Sequence, residues 1–224
     1  MSERSDPTLF EQVMPFLLEG ALVTVQLSVT SMALGLVLGL IAAVGRLSRS
    51  RLPRLLATIY VEVIRGTPLL VQLFIVYYGL PSYGVRLDPF MAGFLTLGIH
   101  YGAYLSEVYR AGILSIDRGQ WEAAASIGMG RGAVLREIIL PQAVRTILPP
   151  VGNYFISMLK DSALTATISV NELLRAGQLR VAITFRAMDI YLMVAAIYLA
   201  LSYPISLLIR RLEERTSRGF SRYQ

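Results

Sequence analysis

Uncharged apolar runs alternate with short arginine-bearing stretches along the whole chain. Residues 20–45, 66–85 and 190–209 carry no charged side chain, while 89–106 adds only His100 and 138–159 only Arg145. A helix that crosses a bilayer needs about 20 consecutive apolar residues, because each backbone N–H and C=O must be bonded within the segment. The pattern therefore predicts an all-α integral membrane protein with five transmembrane helices. The expected organisation is an extracytoplasmic N-terminal segment over 1–15, a transmembrane domain over 16–212 with a cytoplasmic loop at 112–137, and a cytoplasmic tail over 213–224.

Charge placement orients this array. With the N-terminus outside, thirteen basic residues fall on inner segments: Arg46, Arg49, Arg51, Arg54, Arg110, Arg118, Arg131, Arg136, Arg210, Arg211, Arg215, Arg218 and Arg222. The outer segments would hold six, Arg4, Arg86, Lys160, Arg175, Arg180 and Arg186. The excess of inner arginines favours an N-out, C-in topology. The first nineteen residues contain Glu3, Asp6, Glu11 and Glu19 against Arg4, the reverse of a secretory n-region, so the first span is expected to stay in the mature protein.

Composition narrows the chemistry. Hydrophobic residues make up 54% of the chain and charged ones 16%, which departs from a soluble globular domain. With no cysteine and one histidine, a disulfide framework and a zinc cluster are excluded, and no metal site is expected. The net charge of +6 is dispersed through the loops and forms no single basic block of the nucleic-acid-binding kind.

The stretch "GQWEAAASIG", residues 119–128, stands out in this background. Three alanines favour a short helix over 120–127, Glu122 is expected in its first turn where it complements the helix dipole, and Gly128 suits the residue after the C-cap. By topology it lies in the cytoplasm between the third and fourth spans. On these ten residues alone, a re-entry turn resting on the membrane surface is the plainer interpretation.

Other positions suggest a polar pathway or structural pairing. Gly66 and Pro68 interrupt a helical segment over 54–78, with Thr67, Leu69 and Gln72 beside the interruption, and broken helices free backbone groups for a polar ligand. Pro141, Pro149 and Pro150 are expected to break the fourth span before Asn153, Tyr154, Ser157 and Asp161, although kinking for packing alone is an equal reading. Asp161 can also cap a helix or bond the backbone of residues 162–165. Glu62 with Arg65 and Glu107 with Arg110 have i,i+3 spacing and are expected to form structural ion pairs. His100 is expected to be packed and hydrogen-bonded, and Gly35 and Gly39 form a G-x-x-x-G step for close helix approach.

A longer pattern resolves the short helix. Glu122-Ala123-Ala124, Gly128 and then Ile138-x-Leu140-Pro141 resemble the EAA loop of bacterial ABC importer permeases in order and spacing. The stretches "YVEVIRGTPLLVQLF", "GAYLSEVYRAGILSIDRGQWEAA" and "LPQAVRTILPPVGNYFISMLKDSAL" extend the resemblance over roughly residues 15–212, to the polar amino-acid uptake branch of histidine, glutamine, arginine and opine type.

The resemblance implies a type I importer permease of the bacterial inner membrane, a transport subunit and not an enzyme. It would pair with a second copy or a sister permease and receive a polar amino acid or small zwitterion from an extracytoplasmic solute-binding protein. ATP and magnesium would be bound by a separate cytoplasmic ABC ATPase dimer, and this chain would hold no cofactor; consistently, it has no G-x-x-x-x-G-K-[ST] loop. The helix with Gln120, Trp121, Glu122, Ala123, Ala124 and Gly128 would be the coupling helix. Alanines let a helix seat closely in a groove and Glu122 can pair with a basic partner. Trp121 is either an interface anchor or a residue at headgroup level.

The segment "GNYFISMLKDSAL" borders the substrate cavity in the family, which makes Asn153, Ser157 and Asp161 candidate contacts by resemblance. Some members for cationic substrates place an acidic residue where this chain has Tyr154, so the chain does not name its substrate. The competing expectation is a secondary transporter or channel subunit that works without ATP; five spans without an inverted repeat argue against it.

Overall fold

The computed structural model describes residues 7–217. Residues 1–6 of the expected outer segment and 218–224 of the expected tail, with Arg4, Arg218 and Arg222, lie outside the described residues. The described chain is helical throughout, with no strand among those residues. Helix α1 spans Pro7–Leu47, α2 Arg51–Arg65, α3 Leu69–Phe74, α4 Pro89–Leu114, α5 Arg118–Ser126 and α6 the single turn Arg131–Ala133. Helix α7 follows over Leu140–Asp161, α8 over Leu173–Thr184 and α9 over Ala187–Ser217.

Two stretches, Leu9–Leu47 and Ala187–Glu214, are long and apolar enough by themselves to cross a membrane. The pair Arg51–Arg65 and Leu69–Tyr83 adds a third if it is taken as one broken span. The break falls at Gly66–Pro68, as the sequence suggested. The Gly66 N–H closes α2 on the Glu62 carbonyl at 2.8 Å, and Pro68 disfavours helical geometry at Thr67. After α3 the helix widens into a π turn over Ile75–Gly79 and tightens into a 3₁₀ turn over Leu80–Tyr83.

The expected break at Pro149 and Pro150 does not occur: α7 runs unbroken through both to Asp161. Proline's fixed φ is compatible with a helix, but each one forfeits an N–H donor and crowds the carbonyl four residues back, so the continuity of α7 is kept against a local cost. Irregularity is displaced to the ends of α7. A π turn over Val134–Ile139 precedes the helix and a 3₁₀ segment over Ser162–Ile168 follows it.

Packing divides the chain into two compact units. Among the described residues, one comprises 7–34, Thr67–Gly98 and Phe155–Pro204, and the other Gly35–Gly66, Ile99–Tyr154 and 205–217. In the first, Leu9, Val13, Leu17 and Ala21 form an i,i+4 stripe on α1 that packs on Leu173 of α8 and on Ile190 and Val194 of α9. Thr24 prolongs the stripe with a polar group. Its hydroxyl accepts from the Leu173 N–H at 3.1 Å and donates to Glu172 Oε2 at 3.4 Å. Glu172 is fully buried, also accepts from the Tyr198 hydroxyl at 2.6 Å, and caps α8 by accepting from the Arg175 N–H at 2.8 Å.

In the second unit, α1 and α4 meet at glycines. A Cβ on Gly39 would lie 2.8 Å from the Leu105 Cβ and 3.0 Å from the Gly102 carbonyl oxygen, so the close approach expected of the G-x-x-x-G step is used. Ala42, Val61 and Ala103 form a small core where α1, α2 and α4 converge, and Tyr60 donates to the Ile99 carbonyl at 2.6 Å. A larger core, Ile116, Ala124, Val134, Ile139, Ala143 and Ile147, sits beneath α5.

Glu172→Ala is expected to destabilise the chain by about 2–3 kcal/mol, since it strands buried donors of Thr24, Tyr198 and the α8 cap. Tyr198→Phe alone is expected to cost about 1 kcal/mol, and the double variant less than the sum of the two. Thermal unfolding of the four proteins in one detergent measures both effects.

Candidate functional site

Helix α5 is built by local chemistry at both ends. Asp117 is its N-cap, and the side chain accepts from the Gly119 N–H at 2.6 Å. The helix therefore begins at Arg118, two residues before the start expected from the alanine run, and Glu122 falls in its second turn and not its first. At the far end Gly128 has φ +81°, the Gly128 N–H bonds the Ala125 carbonyl at 3.0 Å, and the Met129 N–H bonds that of Ala124 at 3.1 Å. These two bonds form a Schellman motif, which needs a residue tolerant of left-handed backbone at the position Gly128 fills.

The capped helix has two faces. Ala124 is buried and Trp121 half-buried in the core with Ile116, Val134 and Ile139, while Gln120, Glu122, Ala123 and Ala125 are exposed. Trp121 thus ties α5 to its own chain. Gln142 of α7 donates to the Ile138 carbonyl at 3.0 Å and reaches Gln120 Oε1 at 3.5 Å, a second strut under the helix. A Cβ on Gly128, Gly130 or Gly132 would meet nothing within 4 Å, so this turn is open on its outer side.

Upstream of α5, the last turns of α4 carry a charge cluster. Glu107 receives Arg110 on Oε2 at 3.0 Å, the expected i,i+3 pair, and both Arg46 of α1 and Arg65 of α2 on Oε1, the latter at 3.2 Å. The expected pair of Glu62 with Arg65 is replaced: Glu62 is exposed, and Arg65 turns to Glu107, whose side chain is only 23% exposed. A partly desolvated carboxylate attracts a guanidinium more strongly than a solvated one does. Arg65 also lies 5.4 Å from the centroid of the Tyr104 ring. Sequence spacing could not reveal Arg46, which is 61 residues from Glu107.

The candidate pathway residues divide between the two units. In the first, Gln72 donates to Thr67 Oγ1 at 2.8 Å and to the Thr67 carbonyl at 3.1 Å, closing over the α2–α3 break, and Leu69 is buried beside it. Ser157 and Asp161 belong to the same unit, both half-buried. Asp161 ends α7 without capping the 3₁₀ segment, where Ser162 and Thr165 instead bond backward to the Leu159 and Ser162 carbonyls. In the second unit Asn153 is exposed, and Tyr154 joins a ring cluster at 6.2 Å from Tyr101 and 5.7 Å from Tyr104. His100 packs on the same tyrosines and is 8% exposed, as expected for a packed residue. Asn153, Ser157 and Asp161 recur at i, i+4 and i+8, one face of α7. Tyr101, Tyr104 and Glu172 were not singled out in the sequence. An acidic residue just before the apolar start of α8 was the one available signal for Glu172.

A family model described as "Binding-protein-dependent transport system inner membrane component" matches residues 35–218, which include α5 and the whole charge cluster. The chain belongs to this family. It is 42% identical over 203 residues to the glutamine transport system permease protein GlnP of Escherichia coli K12, covering 90% of this chain and 93% of that protein. It is 43% identical over 208 residues to the L-cystine transport system permease protein TcyB of Bacillus subtilis 168, covering 91% and 88%. A crystal structure of an amino acid ABC transporter with histidines has a chain of 38% identity that superimposes with a TM-score of 0.90, covering 95% of this chain and 99% of that one. A methionine ABC transporter, MetNI, shares the fold at a TM-score of 0.77 and 20% identity, covering 96% and 99%.

This binding-protein-dependent permease is therefore an inner-membrane transport component with the all-helical type I fold. It is not itself a catalyst, and the family implies ATPase and substrate-binding partners. The alternative of an ATP-independent transporter or channel finds no support.

Glu107→Ala leaves three guanidiniums without their shared carboxylate and is expected to destabilise the permease by about 2–3 kcal/mol. Arg65→Ala, at a 40% exposed side chain, is expected to cost less than about 1 kcal/mol. Thermal unfolding of the two variants beside the native chain gives the comparison.

Proposed function

We propose that this permease carries a polar amino acid or a related small zwitterion through a pathway to which it contributes half, and that α5 is the helix through which ATP hydrolysis drives it. The observation that carries this reading is the construction of α5. Asp117, the Schellman turn and Trp121 anchor the helix on its own core, while Gln120, Glu122, Ala123 and Ala125 face outward. A short anchored helix with exposed alanines beside Glu122 suits seating in a partner's groove, and the open glycine turn at Gly128, Gly130 and Gly132 leaves room for close approach.

In this reading the partner is a cytoplasmic ABC ATPase dimer that holds ATP and magnesium, while this chain holds no cofactor. A second copy or a sister permease supplies the other half of the pathway, and an extracytoplasmic solute-binding protein delivers the substrate. The names of the glutamine and L-cystine relatives support an amino-acid substrate. The topology is five spans with the N-terminus outside and the C-terminus inside. Helices α4 and α7, with 26 and 22 residues, reach about 33–39 Å at ~1.5 Å per residue, enough for a hydrocarbon core of about 30 Å. Their polarity need not face lipid, since Thr96 and Ser106 of α4 are buried within the protein. The domain limits follow: an outer segment over 1–15, a transmembrane domain over 16–212 with the coupling loop at 112–137, and an inner tail over 213–224.

Within the pathway, Asn153, Ser157 and Asp161 present polar groups along one face of α7, Tyr154 adds a ring, and Thr67, Leu69 and Gln72 line the break between α2 and α3. Glu122, Gln120, Ala123 and Gly128 make the ATPase contact, while Trp121 and Ala124 brace it from behind.

Glu122→Lys combined with Ala123→Arg is expected to lower transport and substrate-stimulated ATP hydrolysis at least about ten-fold, with the permease still folded, because both substituted side chains project from the exposed face of α5. Proteoliposome uptake and phosphate release test this; native rates in the double variant would sink the coupling assignment. Asn153→Leu and Ser157→Leu are expected to raise the substrate concentration for half-maximal uptake about ten-fold without loss of complex assembly, through the loss of polar contacts. Unchanged concentration dependence in both would remove this face of α7 from the pathway.

A further inference from the structure

A cavity of about 270 Å³ opens in the first unit between α1 and α8, away from every residue assigned above to coupling or pathway. Its lining combines Glu19 and Phe16 of α1, Asn171 and Arg180 on the α8 side, and the apolar side chains of Val23 and Leu179. Two of these groups are opposite full charges, yet among the described residues Glu19 and Arg180 form no ion pair with each other. Arg180 is held elsewhere. Its guanidinium carbon lies 3.2 Å from the centroid of the Phe16 ring, a cation–π contact that holds the charge on one wall of the cavity.

A carboxylate and a preset guanidinium that border one space without meeting leave room between them for a complementary ligand. A lone cation or a lone anion would satisfy only one of the two. A molecule with an ammonium group and an oxyanion a few atoms apart satisfies both, the Asn171 amide offers a donor and an acceptor to its remaining polar atoms, and Val23 and Leu179 accept its carbon chain. We propose that the α1–α8 cavity is a binding site for a zwitterion, with its ammonium group at Glu19 and its oxyanion at Arg180. Two sources share this chemistry, a free α-amino acid and the headgroup of an ethanolamine phospholipid. The site is distinct from the α7 face and does not depend on which solute the pathway carries.

The test uses the full-length chain with Glu19→Gln and Arg180→Gln, both at side chains outside the core, with thermal unfolding as the control for folding. In the lipid arm, native mass spectrometry counts retained phosphatidylethanolamine and phosphatidylglycerol after release from mixed-lipid nanodiscs. In the amino-acid arm, calorimetric titration with L-glutamine is run in nanodiscs of phosphatidylglycerol alone. A zwitterion bound in either arm is expected to be weakened about ten-fold by each substitution, as for the loss of one charge-assisted contact. Retention of phosphatidylglycerol, which lacks the ammonium group, is expected to fall with Arg180→Gln and to be unchanged by Glu19→Gln. If neither substitution changes phosphatidylethanolamine retention or glutamine binding, or if Glu19→Gln weakens both lipids equally, the proposal is overturned.

Discussion

Burying a polar side chain in apolar surroundings is costly unless the protein itself supplies its partners. Two carboxylates show how this constraint shapes the molecule, while among the described residues the buried hydroxyls of Ser31 and Ser106 lack a hydrogen-bond partner. Glu172 is fully buried and gathers the hydroxyls of Thr24 and Tyr198 with the first N–H groups of α8, so one side chain ties α1, α8 and α9 together. Glu107 gathers Arg46, Arg65 and Arg110 and does the same for α1, α2 and α4. In each unit of the chain a single acidic residue is the point at which three helices are fixed in register.

The second of these points lies close to α5. Helix α4 ends a few residues after Arg110, and Asp117 then caps α5, so the charge cluster lies at the base from which α5 projects. Trp121 and Ala124 continue the support through the core beneath α5. A helix held this firmly on its own chain transmits displacement instead of absorbing it. That property suits the coupling role proposed for α5, which involves different residues from those proposed for the pathway.

The proline positions qualify how breaks arise in such helices. Gly66 and Pro68 end one helix and start another, because Gly66 closes the last turn and Pro68 bars helical geometry at the residue before it. Pro149 and Pro150 do neither, and α7 passes through them. At the first site Gly66 closes the last turn of α2 two residues before Pro68, whereas at Pro149 and Pro150 the helix continues despite the two forfeited N–H donors. The polar face of α7 is consequently regular, with Asn153, Ser157 and Asp161 in helical register.

The sequence by itself determined what depends on neighbouring residues. It determined the helical character of the chain, the break at Gly66–Pro68, the i,i+3 pair of Glu107 with Arg110, the glycine step of α1, and a short helix closed by Gly128 whose motif spacing identified the family, but neither α8 nor the unbroken course of α7. Backbone bonding and side-chain periodicity are local, so these were legible. Tertiary structure alone decided that Arg65 leaves Glu62 for Glu107, that Arg46 joins from 61 residues away, that Glu172 is buried, and that Trp121 faces its own core. Those outcomes turn on which groups are desolvated together when helices pack, and the strength of a charged contact is set by that desolvation and not by spacing along the chain.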